Sequence, residues 1–373
     1  MLKISAYKTN FKIDPPISIS FHTWHYRENV LVFLKYKGLE GVGEASPFKP
    51  ITGDSQQEVI SEVMSLEGIP FDPEKNGLED LHSFLDEKIK SQTLKAAIDF
   101  AYHDLIGKIK GIPVYKIYAE KVCPVDNSIT VTIQDSIRKT AEEAAGIFQK
   151  YPHLKIMKIK LMGDGMDIDR TRAIRNISPE NMRFVLDANQ GYDDPDKALA
   201  ELREMAAILR DVILVEQPCP KENLDMMKFI DENLPDIPIF ADESAATVED
   251  VARIIEKRAA RGVNIKLQKA GGIYPSKKIA RMCRDAGLKI MVGAMLGGPV
   301  SASAGAHFAC STPGLVLTDL DWDLDVPPYT DKIADFRNGQ RIPPEEVGLG
   351  IDIDFDKMNE LVKSGDLILE KIR

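Results

Sequence analysis

The sequence predicts an α/β fold built on a closed parallel barrel preceded by an α+β unit, on three observations. From about residue 125, short apolar runs are each followed by a polar loop and then an amphipathic helix, the pattern of parallel strands joined by crossover helices. The runs end near Thr132, Lys160, Asp187, Glu216, Asp242, Lys266, Val292 and Leu317, roughly 24–29 residues apart, which is one strand–helix unit each; eight suffice to close a barrel. An open dinucleotide-binding sheet would need GxGxxG after a strand, whereas these strands end in charged side chains.

In chain order, residues 1–122 read first as strands, as in Val30-Leu31-Val32-Phe33-Leu34. They then read as helices, with Ala97, Phe100, Ala101 and Leu105 recurring at helical spacing over residues 94–110. Residues 123–325 carry the barrel repeat. Residues 326–373 return to mixed structure, with a strand expected at Ile351-Asp352-Ile353-Asp354 and a helix over 358–362, and are expected to pack back on the first unit.

With 373 residues, 44% hydrophobic and 28% charged, the composition is that of a globular chain with one large core or two joined ones. A net charge of −10 repels phosphate backbones, and no basic cluster is interleaved with aromatics, so nucleic acid is excluded as a partner. Cys123, Cys219, Cys283 and Cys310 form no CxxC pair, which argues for buried free thiols rather than a zinc knuckle or a disulfide framework. Met1-Leu2-Lys3-Ile4-Ser5 lacks the pattern of a secretion signal, and no apolar run approaches ~18 residues. A cytoplasmic protein with no membrane partner is expected. Homo-oligomerisation is left open.

Three consecutive strands finish in a carboxylate: Phe184-Val185-Leu186-Asp187, Ile213-Leu214-Val215-Glu216 and Ile239-Phe240-Ala241-Asp242. Strand ends of a barrel converge on one mouth, so three like charges would meet there and need a cation. Hard oxygen donors without His or Cys favour Mg²⁺, with Mn²⁺ as a substitute. Each acid could instead cap the next helix, and Glu243 is an alternative third ligand.

On the preceding strand, Lys158 and Lys160 share one face while Met157, Ile159 and Leu161 take the other. Inside a barrel, burial and mutual repulsion would lower a lysine toward the range of a general base. Lys266 ends Val263-Asn264-Ile265-Lys266, three strands beyond on this reading and nearly across the barrel. Lys269 reads as a loop charge or a neighbour of substrate. Two lysines flanking a metal suit proton transfer at a carbon beside a carboxylate, whose enolate needs a cation. Bases on opposite faces favour racemisation or epimerisation over elimination.

At these residues the chain resembles the enolase superfamily, specifically the muconate-lactonizing-enzyme subgroup and within it the dipeptide epimerases of the L-Ala-D/L-Glu type. The resemblance rests on Lys158-Ile159-Lys160, Asp187-Ala188-Asn189, Glu216-Gln217-Pro218, Ala241-Asp242-Glu243-Ser244 and Ile265-Lys266-Leu267 with Gly271-Gly272. The run from Ala96-Ala97-Ile98-Asp99 through His103-Asp104-Leu105 to Gly111-Ile112-Pro113 adds to it. It implies a modified TIM barrel, (β/α)7β, under an α+β capping domain made by both chain ends. It further implies Mg²⁺ on Asp187, Glu216 and Asp242, Lys160 and Lys266 as the acid/base pair, and Lys158 at the substrate carboxylate. Cap loops near residues 20–28 and at Ile51-Thr52-Gly53 would then select the substrate.

Such epimerases carry an Asp-x-Asp after the eighth strand that holds the substrate ammonium group. Asp319 and Asp321 match it, with Asp323 and Asp325 as the alternative register and a solvated acidic loop as the bland one. Gly293-Ala294-Met295-Leu296 has glycine where many members place an acid, and Leu296 would give an apolar wall. Arg27 has two readings, a binder of a substrate carboxylate and a surface residue. His103 and His307 read as packed histidines. The same residues allow a cycloisomerase, an o-succinylbenzoate synthase or an N-acylamino acid racemase. Outside this chemistry stand a Schiff-base lyase using Lys160 or Lys266, and a non-catalytic barrel.

Overall fold

A computed structural model of the chain describes residues 1–19, 22–327 and 329–373. Apolar alternation folds the N-terminal segment into an antiparallel meander, β1 (Lys3–Ile19), β2 (His22–Tyr36) and β3 (Leu39–Ala45). The β2–β3 connection is a two-residue turn with Lys37 and Gly38 both at positive φ, whose twist suits a hairpin. One sheet face presents Val30, Val32 and Leu34 to Leu94, Ala97 and Ala101 of a long helix; the other presents Leu31 and Phe33 to the core shared with the barrel. The helices of this cap are α1 (Lys49–Thr52), α2 (Gln56–Ser65), α3 (Leu78–Lys88) and α4 (Gln92–Lys110).

Eight parallel strands follow: β4 (Ser128–Val131), β5 (Ile156–Lys160), β6 (Arg183–Asp187), β7 (Val212–Glu216), β8 (Ile239–Ala241), β9 (Gly262–Lys266), β10 (Lys289–Gly293) and β11 (Leu315–Asp319). They are hydrogen-bonded in chain order, and a bridge between Asn127 and Thr318 brings the first and last together into a nearly closed barrel. The crossovers are α5 (Ile137–Lys150), α6 (Asp167–Ile177), α7 (Pro195–Leu209), α8 (Leu224–Asn233), α9 (Val248–Lys257), the short α10 (Leu267–Ala270) with α11 (Ile273–Asp285), and α12 (Pro299–Cys310). Seven strand–helix steps and a final strand make the (β/α)7β order.

Alternation along each strand decides what the barrel holds. Ile156, Val185, Leu214, Phe240, Met291 and Leu317 form an apolar plug. Two positions further along each strand, on the same face, come Lys158, Asp187, Glu216, Asp242, Gly293 and Asp319. The charged layer therefore rests on a dry floor.

After β11, β12 (Asp335–Arg337) and β13 (Gln340–Ile342) form a small hairpin, followed by α13 (Phe355–Ser364) and β14 (Leu367–Lys371). β14 pairs with β1, giving the cap sheet the order β14-β1-β2-β3. Two expectations are corrected here. Residues 351–354 are not a strand: Ile351 is buried as an anchor, and Asp354 caps α13 by accepting from the backbone N–H of Asp356 and Lys357. His22–Glu28 is not a loop but the first half of β2, paired with β1 through contacts such as Ile17 opposite Trp24 and Phe11 opposite Arg27; residues 20 and 21 lie outside the described residues. Among the described residues no helix is long and apolar enough to cross a membrane. All four cysteines are free, and Cys123, unlike the other three, is exposed.

Candidate active site

Register across the parallel sheet sets the charged residues side by side. Lys160 stands opposite Asp187 and Asp187 opposite Glu216, while on the far wall Gly293 lies between Lys266 and Asp319. Lys266 is therefore four strands beyond Lys160 rather than three, with the three acid-bearing strands between, and the two lysines occupy opposite walls.

Lys158 is 1% exposed, with its Nζ 2.9 Å from Asp187 Oδ2, 2.8 Å from Glu216 Oε2 and 2.7 Å from Asp319 Oδ2. Lys160 Nζ donates to Asp187 Oδ2 and Asn189 Oδ1, each at 2.7 Å. Lys266 Nζ lies 2.8 Å from Asp242 Oδ2. Lys269 is buried too: it binds Asp242 Oδ1 at 2.5 Å and donates to the Asp242 carbonyl, so it is a fixed counter-charge rather than a loop charge. Asn264 Nδ2 donates to Glu216 Oε1 at 2.8 Å, and Asn189 Nδ2 to Glu243 Oε1 at 3.2 Å.

The electrostatics reverse one expectation. Burial alone would lower Lys158 and Lys266, but Asp187, Asp319 and Glu216 around the first, and Asp242 and Glu216 around the second, raise both above the ordinary lysine value. Asp187 is raised by burial but brought down to about 2 by Lys158 and Lys160. Burial and the neighbouring Asp187 push Glu216 up to about 8; burial and Asp242 push Glu243 up to about 7.

Six buried carboxyl groups, Asp187, Glu216, Asp242, Glu243, Asp319 and Asp321, share the site with four buried lysines, Lys158, Lys160, Lys266 and Lys269, an excess of two negative charges when all ten are ionised. Among the described residues no three acidic, His or Cys side chains form a ready metal cage, because Lys158 stands between Asp187 and Glu216. The donor set nevertheless fits a hard divalent cation. It is all oxygen, its carboxyl groups outnumber its lysines by two, and Glu243 Oε2 has no hydrogen-bond partner among the described residues.

Asp319 and Asp321 turn toward the mouth. Asp319 accepts from Ser128 Oγ at 3.1 Å and Asp321 from the Thr130 N–H at 2.8 Å, while Asp321 Oδ1 is unpaired among the described residues. Asp323 is instead bound 2.5 Å from Arg341, and Asp325 lies on the surface 3.3 Å from Lys150. Arg27 is 3% exposed and donates to the Trp322 carbonyl, which removes the surface role from consideration. It borders two cavities. One of about 670 Å³ lies between β1, β4 and α5 and includes Thr130 and Asp321; one of about 220 Å³ is lined by Trp24, Phe48 and Leu296. Neither is lined by Lys160 or Lys266, which are closed over at 7% and 6% exposure. His103 bonds Asp99 and Tyr118. His307 accepts from the Tyr115 N–H, and burial brings it down to about 4.

Sequence reasoning gave no role to Asn189 or Asn264 and did not foresee the burial of Lys269 against Asp242. Asn264 had a signal, since it sits two residues before Lys266 on the same strand face, whereas Asn189 lies in the turn after β6 at positive φ. Gly293 also gains a reason: a Cβ there would fall 2.7 Å from Asn264 Oδ1 and 3.1 Å from Lys266 Cε. Gly293→Ala is expected to push Lys266 aside and lower kcat by roughly tenfold to a hundredfold, the usual cost of an ångström-scale misplacement. Steady-state kinetics beside a melting curve checks this, an unchanged kcat being the contrary result.

The structure thus sets two buried lysines on opposite walls of an acid-lined barrel. In family comparison, residues 1–118 match the mandelate racemase/muconate lactonizing enzyme N-terminal domain and residues 137–357 the enolase C-terminal domain-like model. The chain belongs to the mandelate racemase/muconate lactonizing enzyme family of the enolase superfamily. It is 31% identical over 355 residues to the L-Ala-D/L-Glu epimerase of Bacteroides thetaiotaomicron, covering 94% of this chain and 88% of that one. It is 30% identical over 384 residues to the N-succinyl-L-Arg/Lys racemase of Bacillus cereus, covering 98% and 100%. The dipeptide epimerase of Enterococcus faecalis, solved with Mg and L-Leu-L-Tyr, superposes with a TM-score of 0.85 at 27% identity, covering 94% of this chain and 98% of that one. The protein is an isomerase of the racemase and epimerase kind acting on a small molecule, in a superfamily whose enzymes bind a divalent metal.

Proposed function

We propose that this protein is a dipeptide epimerase that inverts the α-carbon beside the substrate carboxylate. The observation that carries the reading is the pair of buried lysines, Lys160 and Lys266, on opposite walls of one barrel. A substrate α-carbon held between them can lose its proton to one lysine in its neutral form, and the planar carbanion left behind can take a proton from the ammonium form of the other, a sequence that inverts the centre. Asp187, Glu216 and Asp242 are the residues that would hold a divalent ion, Mg²⁺ or Mn²⁺, with Glu243 beside them. When bound, that ion supplies positive charge for the substrate carboxylate and offsets the acids that raise Lys158 and Lys266. Lys158 adds its charge at the same carboxylate.

Asp319 and Asp321 suit a free ammonium group, which supports a dipeptide with an unblocked N-terminus, as do relatives named dipeptide epimerases. Trp24, Phe48 and Leu296 wall an apolar recess with Arg27 at its edge, which favours an apolar side chain on the reacting residue. The succinyl-amino-acid racemase among the relatives supports a second reading, an N-acylamino acid racemase. An acylated nitrogen carries no charge for Asp321, so Asp321→Asn separates the two by weakening dipeptide turnover only. Incubating the Mg²⁺-loaded protein with dipeptide libraries in ²H₂O tests the proposal. Deuterium with inversion at the C-terminal residue supports it, and absence of deuterium at every α-carbon rejects it.

A pH effect follows from Asp321, which burial and the neighbouring Asp319 push up to about 7. Below that pH its carboxyl is neutral and offers an ammonium group no ion pair; above it the carboxylate is formed. KM for a dipeptide should therefore fall as pH rises from 6 to 8, and a KM flat over that range in initial-rate measurements contradicts the assignment.

A further inference from the structure

Lys266 is the N-cap residue of α10, so the orientation of the turn from Leu267 to Gly272 sets where its side chain starts. That turn is bound to the cap domain at two points. Gln268, 4% exposed, donates from Nε2 to the Glu44 carbonyl at 2.7 Å and to Ser301 Oγ at 3.1 Å, and its Oε1 accepts from the Ser46 N–H at 3.2 Å. Four residues on, Gly272 stands at the N-cap of α11 and has no side chain to cap the helix. Asp99 of α4 does so from the other domain. It is fully buried, with Oδ1 accepting from the Ile273 N–H at 2.6 Å and Oδ2 from the Tyr274 N–H at 3.4 Å, and His82 Nε2 lies 2.7 Å from Oδ2. The fit is close, since a Cβ on Gly272 would stand 2.4 Å from the Asp99 carboxyl carbon.

The wall bearing Lys160 is built differently. Its following loop is held from within the barrel by Asp167, which accepts from the N–H groups of Met162 at 2.9 Å and Gly163 at 2.7 Å. We propose that Asp99 and Gln268 are positioning residues for Lys266, so that the cap domain sets one of the two bases while the barrel alone sets the other. The inference rests on the two-base reading above. Substrate-dependent movement of the cap would then retune proton transfer on one face only.

The test measures α-proton exchange into ²H₂O separately from each epimer of one dipeptide, using the Mg²⁺-loaded full chain. Lys266→Ala in the same assay identifies the face that Lys266 serves. Gln268→Ala and Asp99→Asn are expected to slow exchange on that face by roughly tenfold or more, with the Lys160 face held within about twofold. A loss of global stability would slow both faces alike, so equal slowing, or none, overturns the inference. Should Asp99→Asn not fold, Gln268→Ala decides alone, since its amide is lost without stranding a buried charge. A wild-type protein that exchanges neither epimer rejects the epimerase reading itself and this inference with it, whereas equal slowing in the variants leaves that reading standing.

Discussion

Lys266→Ala is expected to abolish inversion, lowering its rate by about 10²–10⁴-fold, while exchange of the epimer whose α-proton faces Lys160 persists. Removing a single base leaves the other able to take and return its own proton. Lys160→Ala should give the mirror image, exchange surviving only in the opposite epimer. Both variants should fold, because Asp242 keeps Lys269 and Asp187 keeps Lys158 as buried partners. Lys158→Ala differs in kind: it strands Asp187, Glu216 and Asp319 around one vacated position, so stability suffers as well. Loss of exchange from both epimers in folded Lys266→Ala protein would contradict the assignment.

Chelation of divalent ions should abolish turnover, and restoring Mg²⁺ should return it and raise the melting temperature. The buried mouth holds two more carboxyl groups than lysines, and burial with the neighbouring acids raises Glu216 and Glu243, so a cation there would favour their ionised forms. An ion that binds only the folded protein stabilises it by about 2.7 kcal/mol at a hundred times its Kd. Asp187→Asn and Asp242→Asn should weaken that thermal shift, a readout independent of turnover. Undiminished activity in EDTA, with no shift on adding Mg²⁺, would remove the metal from the account.

The barrel was legible because parallel strands buried on both sides read as short apolar runs, and their charged ends fell at one βα spacing. Lys160, Asp187, Glu216 and Lys266 each end a strand as expected, and Asp242 follows its strand by one residue. What sequence alone could not supply was pairing across long distances. The lysines were expected at lowered pKa because Lys158 and Lys160 were weighed against each other, whereas the acids surrounding them arrive from other strands. Residues 22–28 looked like a loop because they are mostly polar and because Pro15-Pro16 interrupts the segment that pairs with them, where the register shifts between Lys12 and Ile17. Asp99 and Gln268 carried no local sign of their role, which exists only where the cap meets the barrel.

The central claim, two bases on opposite faces, is tested most directly by the isotopic content of the first product. A dipeptide of single configuration, turned over in ²H₂O to a few per cent conversion, should give epimerised product carrying deuterium at the reacting α-carbon from the first turnovers. Recovered substrate should gain it more slowly. Product that instead retains the substrate's own α-proton would show one group carrying the proton across, and would contradict the account.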